Sequence, residues 1–145
     1  MAKPPTKSRS AKPRRKTRVT KPPTKTGVSA IDNLNLREIV AAVRKKRRWS
    51  ARTAKDAETW YRLFLAMSQQ KGTAAFGIEK RSDYIWHEHI TSTVRYREDC
   101  GRIFGKFLDH TPVKPKNWRD LLSESMEEYE ARFGIRPPDS WICCL

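Results

Sequence analysis

Apolar residues fall along this chain in amphipathic runs at helical spacing, and no stretch alternates as a strand would. Leu36, Ile39, Val40 and Val43 stand at i, i+3, i+4 and i+7, one stripe of a helix. Asn35 is its expected cap, with Glu38 as the capping-box partner. The run Arg44–Arg48 closes it, where cations meet the negative end of the helix dipole. A second helix is expected over about 54–69, with Ala57, Trp60, Tyr61, Phe64, Leu65 and Met67 as its apolar side, stopped by Lys71-Gly72. Residues 71–81 read as a loop. Ser82 then caps a third helix, with Asp83 in its positively polarised first turn. Asn117 caps a last helix whose stripe is Trp118, Leu122, Met126, Tyr129 and Phe133, ended by Gly134 and Pro137-Pro138. The pattern predicts an all-α fold: a small helical domain of about four helices over residues 31–145.

Residues 1–30 belong to none of these runs. They hold ten Lys and Arg, no acid, and almost no apolar side chain larger than Val. Lys3-Pro4-Pro5-Thr6-Lys7 recurs as Lys21-Pro22-Pro23-Thr24-Lys25, a short repeat that favours extended polyproline II. Charge repulsion and the lack of apolar surface predict a disordered arm.

Charge divides the chain at the same place. Residues 1–50 carry 16 Lys and Arg against 2 acids, and residues 51–145 carry 15 against 14, so nearly all of the net +15 lies in the arm and first helix. A polyanion, nucleic acid first, is the partner this implies. The candidate contacts are Lys12, Arg14, Arg15, Lys16 and Arg18 in the arm, and Arg44, Lys45, Lys46, Arg47 and Arg48 on the helix. Each phosphate neutralised adds roughly 0.7–0.9 to the logarithmic salt slope. The arm has no aromatic residue to stack on bases, so the expected binding is nonspecific. Two other uses of this charge stay open: a solvated helix end at Arg44–Arg48, and pairing of the arm with the acidic last helix.

Composition narrows the setting. No apolar run approaches the roughly 20 residues of a membrane span, and no apolar h-region follows the basic N-terminus. Three cysteines are too few for a disulfide framework, so a reducing, cytoplasmic location is expected. No phosphate-binding glycine loop, nucleophile elbow or zinc-protease motif is present. The case for an enzyme is weak.

Rare residues gather in one place. All three histidines and Cys100 lie between Trp86 and His110. Read as a metal site, His87, His89, Cys100 and His110 are ligand types that suit zinc. Helical phase tests this reading. His87 and His89 would lie about 200° apart on a helix and should not share an ion. Ser82, Trp86, His89, Thr93, Tyr96, Cys100, Ile103, Phe107 and His110 recur in alternating steps of four and three, a core-facing seam if the helix is continuous. His89 and Cys100 would then be about 16 Å apart. A break, expected at Gly101 or Gly105, is needed to fold His110 back. The alternatives at this point are a packed seam with polar members, a metal site in a metal-binding protein or metal-dependent enzyme, or catalytic use of the cysteine and histidines, and a structural or assembly role for the whole domain also stays open.

The full motif is W-H-x-H-I-x-x-T-x-x-Y-x-x-x-C-x-x-x-F-G-x-F-x-x-H-x-P, from Trp86 to Pro112. With Asp83 upstream and Tyr129, Phe133-Gly134, Pro138 and Trp141 downstream, it resembles the bacterial relatives of the plant glycine-rich domain-containing proteins. The resemblance covers roughly residues 50 to 142. It implies relatives rather than a particular reaction, since the family has no firmly assigned activity. Those relatives often carry Gly- and Cys-rich C-terminal extensions, of which only Cys143-Cys144-Leu145 stands here.

Overall fold

The structure is a computed structural model that describes residues 21–110, 116–137 and 141–144. The expected all-α fold is what it shows. Helices α1 (Ser29–Asp32), α2 (Arg37–Arg47), α3 (Ala51–Lys71), α4 (Lys80–Thr91), α5 (Thr93–Phe104) and α6 (Trp118–Phe133) enclose one core. Residues 1–20, with arm candidates Lys12, Arg14, Arg15, Lys16 and Arg18, lie outside the described residues. Among the described residues, Thr26 ties the chain to α1: its backbone N–H and hydroxyl both donate to Asp32 Oδ1.

Helix α3 is the axis of the core. Ser50 caps it by accepting from the Thr53 N–H, and Gly72 ends it in the left-handed conformation that glycine adopts without strain. Its buried face, from Ala54 to Ser68, is wider than one stripe because neighbours cover it on several sides. Phe64 meets Trp86 of α4 at 4.7 Å between ring centroids, and Trp60 meets Tyr129 of α6 at 6.3 Å.

Three expectations need correction. Helix α2 starts at Arg37, whose N–H donates to Asn35 Oδ1 at 3.2 Å, but Glu38 does not complete a capping box and pairs with Arg95 instead. The segment expected as a loop contains strand β1 (Phe76–Glu79), which pairs antiparallel with β2 (Trp141–Cys144) in a two-stranded ribbon. Four residues with a glycine inside are too short to show alternation, and the partner strand is about 65 residues away, so pairing was invisible locally. Helix α4 is capped by the Glu79 carboxylate, which accepts from the Ser82 N–H, rather than by Ser82.

The third helix ends at Gly105, one of the two positions expected, but it also breaks earlier, at Ser92, which was not expected. Thr91 Oγ1 and Ser92 Oγ both donate to the Glu88 carbonyl, offering the backbone an alternative to continued helix. Helix α5 therefore packs against α4, and Gly105, at φ 68°, turns the chain again after α5. Residues ten apart, which a straight helix would separate by about 15 Å, now touch. Trp86 Nε1 donates to Tyr96 Oη at 3.0 Å, and His89 Nε2 lies 2.9 Å from Asp99 Oδ2.

Candidate metal centre

The double turn sorts the histidines into two environments. His89 is buried between α3 and α5, with Nδ1 2.8 Å from Tyr61 Oη and Nε2 on Asp99. Asp99 can only accept while ionised, so it holds the proton on Nε2 and leaves Nδ1 to accept from the phenol. Burial pushes the imidazole below its ordinary value, against the pull of the Asp99 carboxylate. Both ring nitrogens are thus engaged. Arg102 braces the other oxygen of Asp99 at 3.0 Å. Cys100 sits one residue on, buried, and burial pushes its thiol up, away from the thiolate that a metal needs.

His87 and His110 come together on the other side of α4. Their Nε2 atoms are 2.8 Å apart. Asp83 lies one helical turn before His87 and directs Oδ1 to 3.5 Å from His87 Nε2 and 3.8 Å from His110 Nε2. The chain after Gly105 delivers His110, clipped by Tyr96 Oη, which donates to the Leu108 carbonyl at 2.7 Å. Trp86 closes the inner side, 4.4 Å from the His110 ring.

Of the four ligands expected from the sequence, His87 and His110 converge. His89 and Cys100 do not join them: His89 lies about 200° round α4 from His87 and faces the core, and Cys100 is buried on α5. Asp83 was read as a dipole partner and missed as a ligand, although its i, i+4 spacing to His87 places both on one helical face. Among the described residues, Asp83, His87 and His110 form the group able to hold a metal ion.

The three atoms have suitable spacing for one ion. A triangle with sides 2.8, 3.5 and 3.8 Å has a circumradius of about 2.0 Å. An ion about 0.7 Å off its plane would be about 2.1 Å from all three atoms, within the range of zinc–nitrogen and zinc–carboxylate bonds. A tetrahedral centre with such bonds has edges of about 3.4 Å, the mean of the three sides, and keeps a fourth vertex open. Asp83 and His110 side chains are 12% and 13% exposed, whereas His87 is 55% exposed, so solvent reaches the site along the His87 edge.

Cations at the end of α2 lie against the neighbouring flank of α4, at Tyr84 and Glu88. Arg44, Lys45, Lys46, Arg47 and Arg48 are all exposed at the C-terminal end of α2. Arg47 stacks 3.6 Å over the Tyr84 ring, Lys46 pairs with Glu88 at 2.6 Å, and Arg44 donates to the Trp49 carbonyl. No helix among the described residues is long and apolar enough to cross a membrane.

Fold and cluster together define a small helical domain with a two-histidine, one-carboxylate group at its surface. No family model matches the chain, and neither does any curated protein or solved structure.

Proposed function

We propose that this protein is a metal-binding domain that holds one zinc ion through Asp83, His87 and His110. The observation that carries the reading is the convergence of three ligand atoms, from two segments of chain, on a triangle of the right size for one ion. The donor set of two imidazoles and a carboxylate suits zinc, and the mean side of about 3.4 Å is nearer a tetrahedral edge than the roughly 3.0 Å of an octahedral one. The resemblance to the glycine-rich domain-containing proteins is part of the same proposal. Its support is the motif, of which Asp83, Trp86, His87 and His110 form or line the cluster.

Elemental analysis of protein purified without chelator, with zinc titration of the stripped protein, tests the reading. One equivalent is expected, lost in Asp83→Ala, His87→Ala and His110→Ala and kept in Cys100→Ala. Absence of stoichiometric binding, or loss of zinc in Cys100→Ala with the fold intact, overturns it.

Engagement of nucleic acid or another polyanion is a second proposal, favoured by the five exposed cations at the end of α2. Neutralising Arg44, Lys45 and Arg48 to Gln should weaken binding to a single-stranded oligonucleotide and flatten its salt slope by about 2. An unchanged slope counts against that surface.

A further inference from the structure

The basic run Arg44–Arg48 divides between two sides of α2. Lys46 and Arg47 meet α4, at Glu88 and at the Tyr84 ring. Arg44, Lys45 and Arg48, with Ala41 and Trp49, instead line a hollow of about 370 Å³. Ala41 and Arg44 also line a second hollow of about 390 Å³ that includes Arg37, so the two adjoin. Arg37, Ala41, Arg44, Lys45 and Arg48 stand at i, i+4, i+7, i+8 and i+11, one face of the helix and its end. Glu58 is the one carboxylate among the lining residues, and Lys55 and Arg62 already take it. Among the described residues no carboxylate pairs with Arg37, Arg44, Lys45 or Arg48.

The far end of this face is held against the backbone's preference. Arg48 has φ 54° and ψ 41°, and among the described residues it is the one non-glycine residue with positive φ. Helices α3, α5 and α6 put Gly72, Gly105 and Gly134 at the same position. A β-carbon is disfavoured in that left-handed conformation, yet an arginine stands there. Trp49, the next residue, is clasped at both backbone groups. Its N–H donates to the Arg44 carbonyl at 3.0 Å, and its carbonyl accepts from Arg44 Nε at 3.2 Å. The side chain is half-buried, packed against the core and 6.2 Å from the Tyr84 ring, and it is the one aromatic on the wall of the hollow.

We infer that this face binds single-stranded nucleic acid, with a base stacked on Trp49 and the flanking phosphates held by Arg44, Lys45 and Arg48. The inference rests on the polyanion reading above and adds a contact to the bases. An indole beside unpaired cations suits a nucleotide, which carries a flat π-face and an anion on one unit. Arg37 and Arg44 are about 10 Å apart along the helix axis, and Lys45 and Arg48 continue the line, so the cations recur as the phosphates of a strand do. Stacking accepts any base, so no sequence preference is implied.

The full-length protein is titrated at fixed low salt with a labelled oligothymidylate and with an abasic strand of equal length. Oligothymidylate is expected to bind about tenfold more tightly, the contribution of a stacked base. This comparison on wild type decides without any variant. Trp49→Leu, its fold checked by circular dichroism, is expected to lose the preference and keep the salt slope. Arg48→Gly is expected to keep the preference, flatten the slope by about 0.7 and keep or raise the urea midpoint, a combination that a purely structural arginine would not give. The inference is overturned if the abasic strand binds as tightly, if folded Trp49→Leu retains the preference, or if Arg48→Gly keeps the wild-type slope. It is also overturned if a polyglutamate peptide bearing one phenylalanine competes as strongly as oligothymidylate. Failure of both strands to bind at low salt instead overturns the polyanion reading beneath it.

Discussion

Replacing Tyr96 by Phe removes a single oxygen from the core and tests how the candidate site is held. Tyr96 is 1% exposed, and its hydroxyl accepts from Trp86 Nε1 at 3.0 Å while donating to the Leu108 carbonyl at 2.7 Å. The phenyl ring keeps its edge contacts with His89 and Phe107, so no large cavity opens. What is lost is hydrogen bonding: a buried indole N–H and a buried carbonyl are both left without this partner. Each unsatisfied group costs about 1–3 kcal/mol, so the pair is expected to cost about 2–6 kcal/mol. A domain of this size has about 5–15 kcal/mol in total, so the effect is large. Urea unfolding of the metal-free protein measures it, with an unchanged m-value confirming that both proteins expose the same surface. Leu108 lies two residues before His110, so Tyr96→Phe should also weaken zinc binding without changing its stoichiometry. A stability loss below about 0.5 kcal/mol would show that neither group depends on this hydroxyl, and the reasoning would fail.

Two other consequences are measurable. Burial pushes the phenols of Tyr61, Tyr96 and Tyr129 above their ordinary value, so above about pH 10 the unfolded chain releases protons that the folded chain keeps, and each tyrosine lowers stability by about 1.4 kcal/mol per pH unit; tyrosinate absorbance should rise for these three together with loss of helical circular dichroism, and their smooth ionisation in a still-folded protein would contradict the buried arrangement. Asp99→Ala should cost about 1.5–3 kcal/mol in urea unfolding, because it removes the charged partner of His89 Nε2 and of Arg102; Asp99→Asn, which can still accept, should cost less, and equal losses would argue against a charge-assisted bond.

Much of the architecture was legible because it depends on neighbours along the chain. The stripe from Leu36 to Val43, the Gly72 and Gly134 stops and the start of α6 after Asn117 all follow from spacing within a turn or two. The site was legible only in part. His87 and His110 stood out as rare residues, and the phase argument correctly set His87 and His89 on different sides of one helix. It failed at Ser92, where three consecutive hydroxyl residues, Thr91-Ser92-Thr93, were absorbed into a seam that assumed one continuous helix. The ribbon of β1 and β2 was missed for a different reason, since neither strand is long enough to declare itself without its partner.

The sequence by itself determined which residue types were present for chemistry, where the helical faces lie and how unevenly charge is spread. Tertiary structure decided which of those residues meet. The turns at Ser92 and Gly105 bring His110 to Asp83 and His87, while His89 and Cys100 lie on core-facing sides of α4 and α5. Metal-ligand geometry is set to fractions of an ångström, whereas helical periodicity fixes only an angle around one axis. Once the axis bends, local phase no longer says which residues face one another.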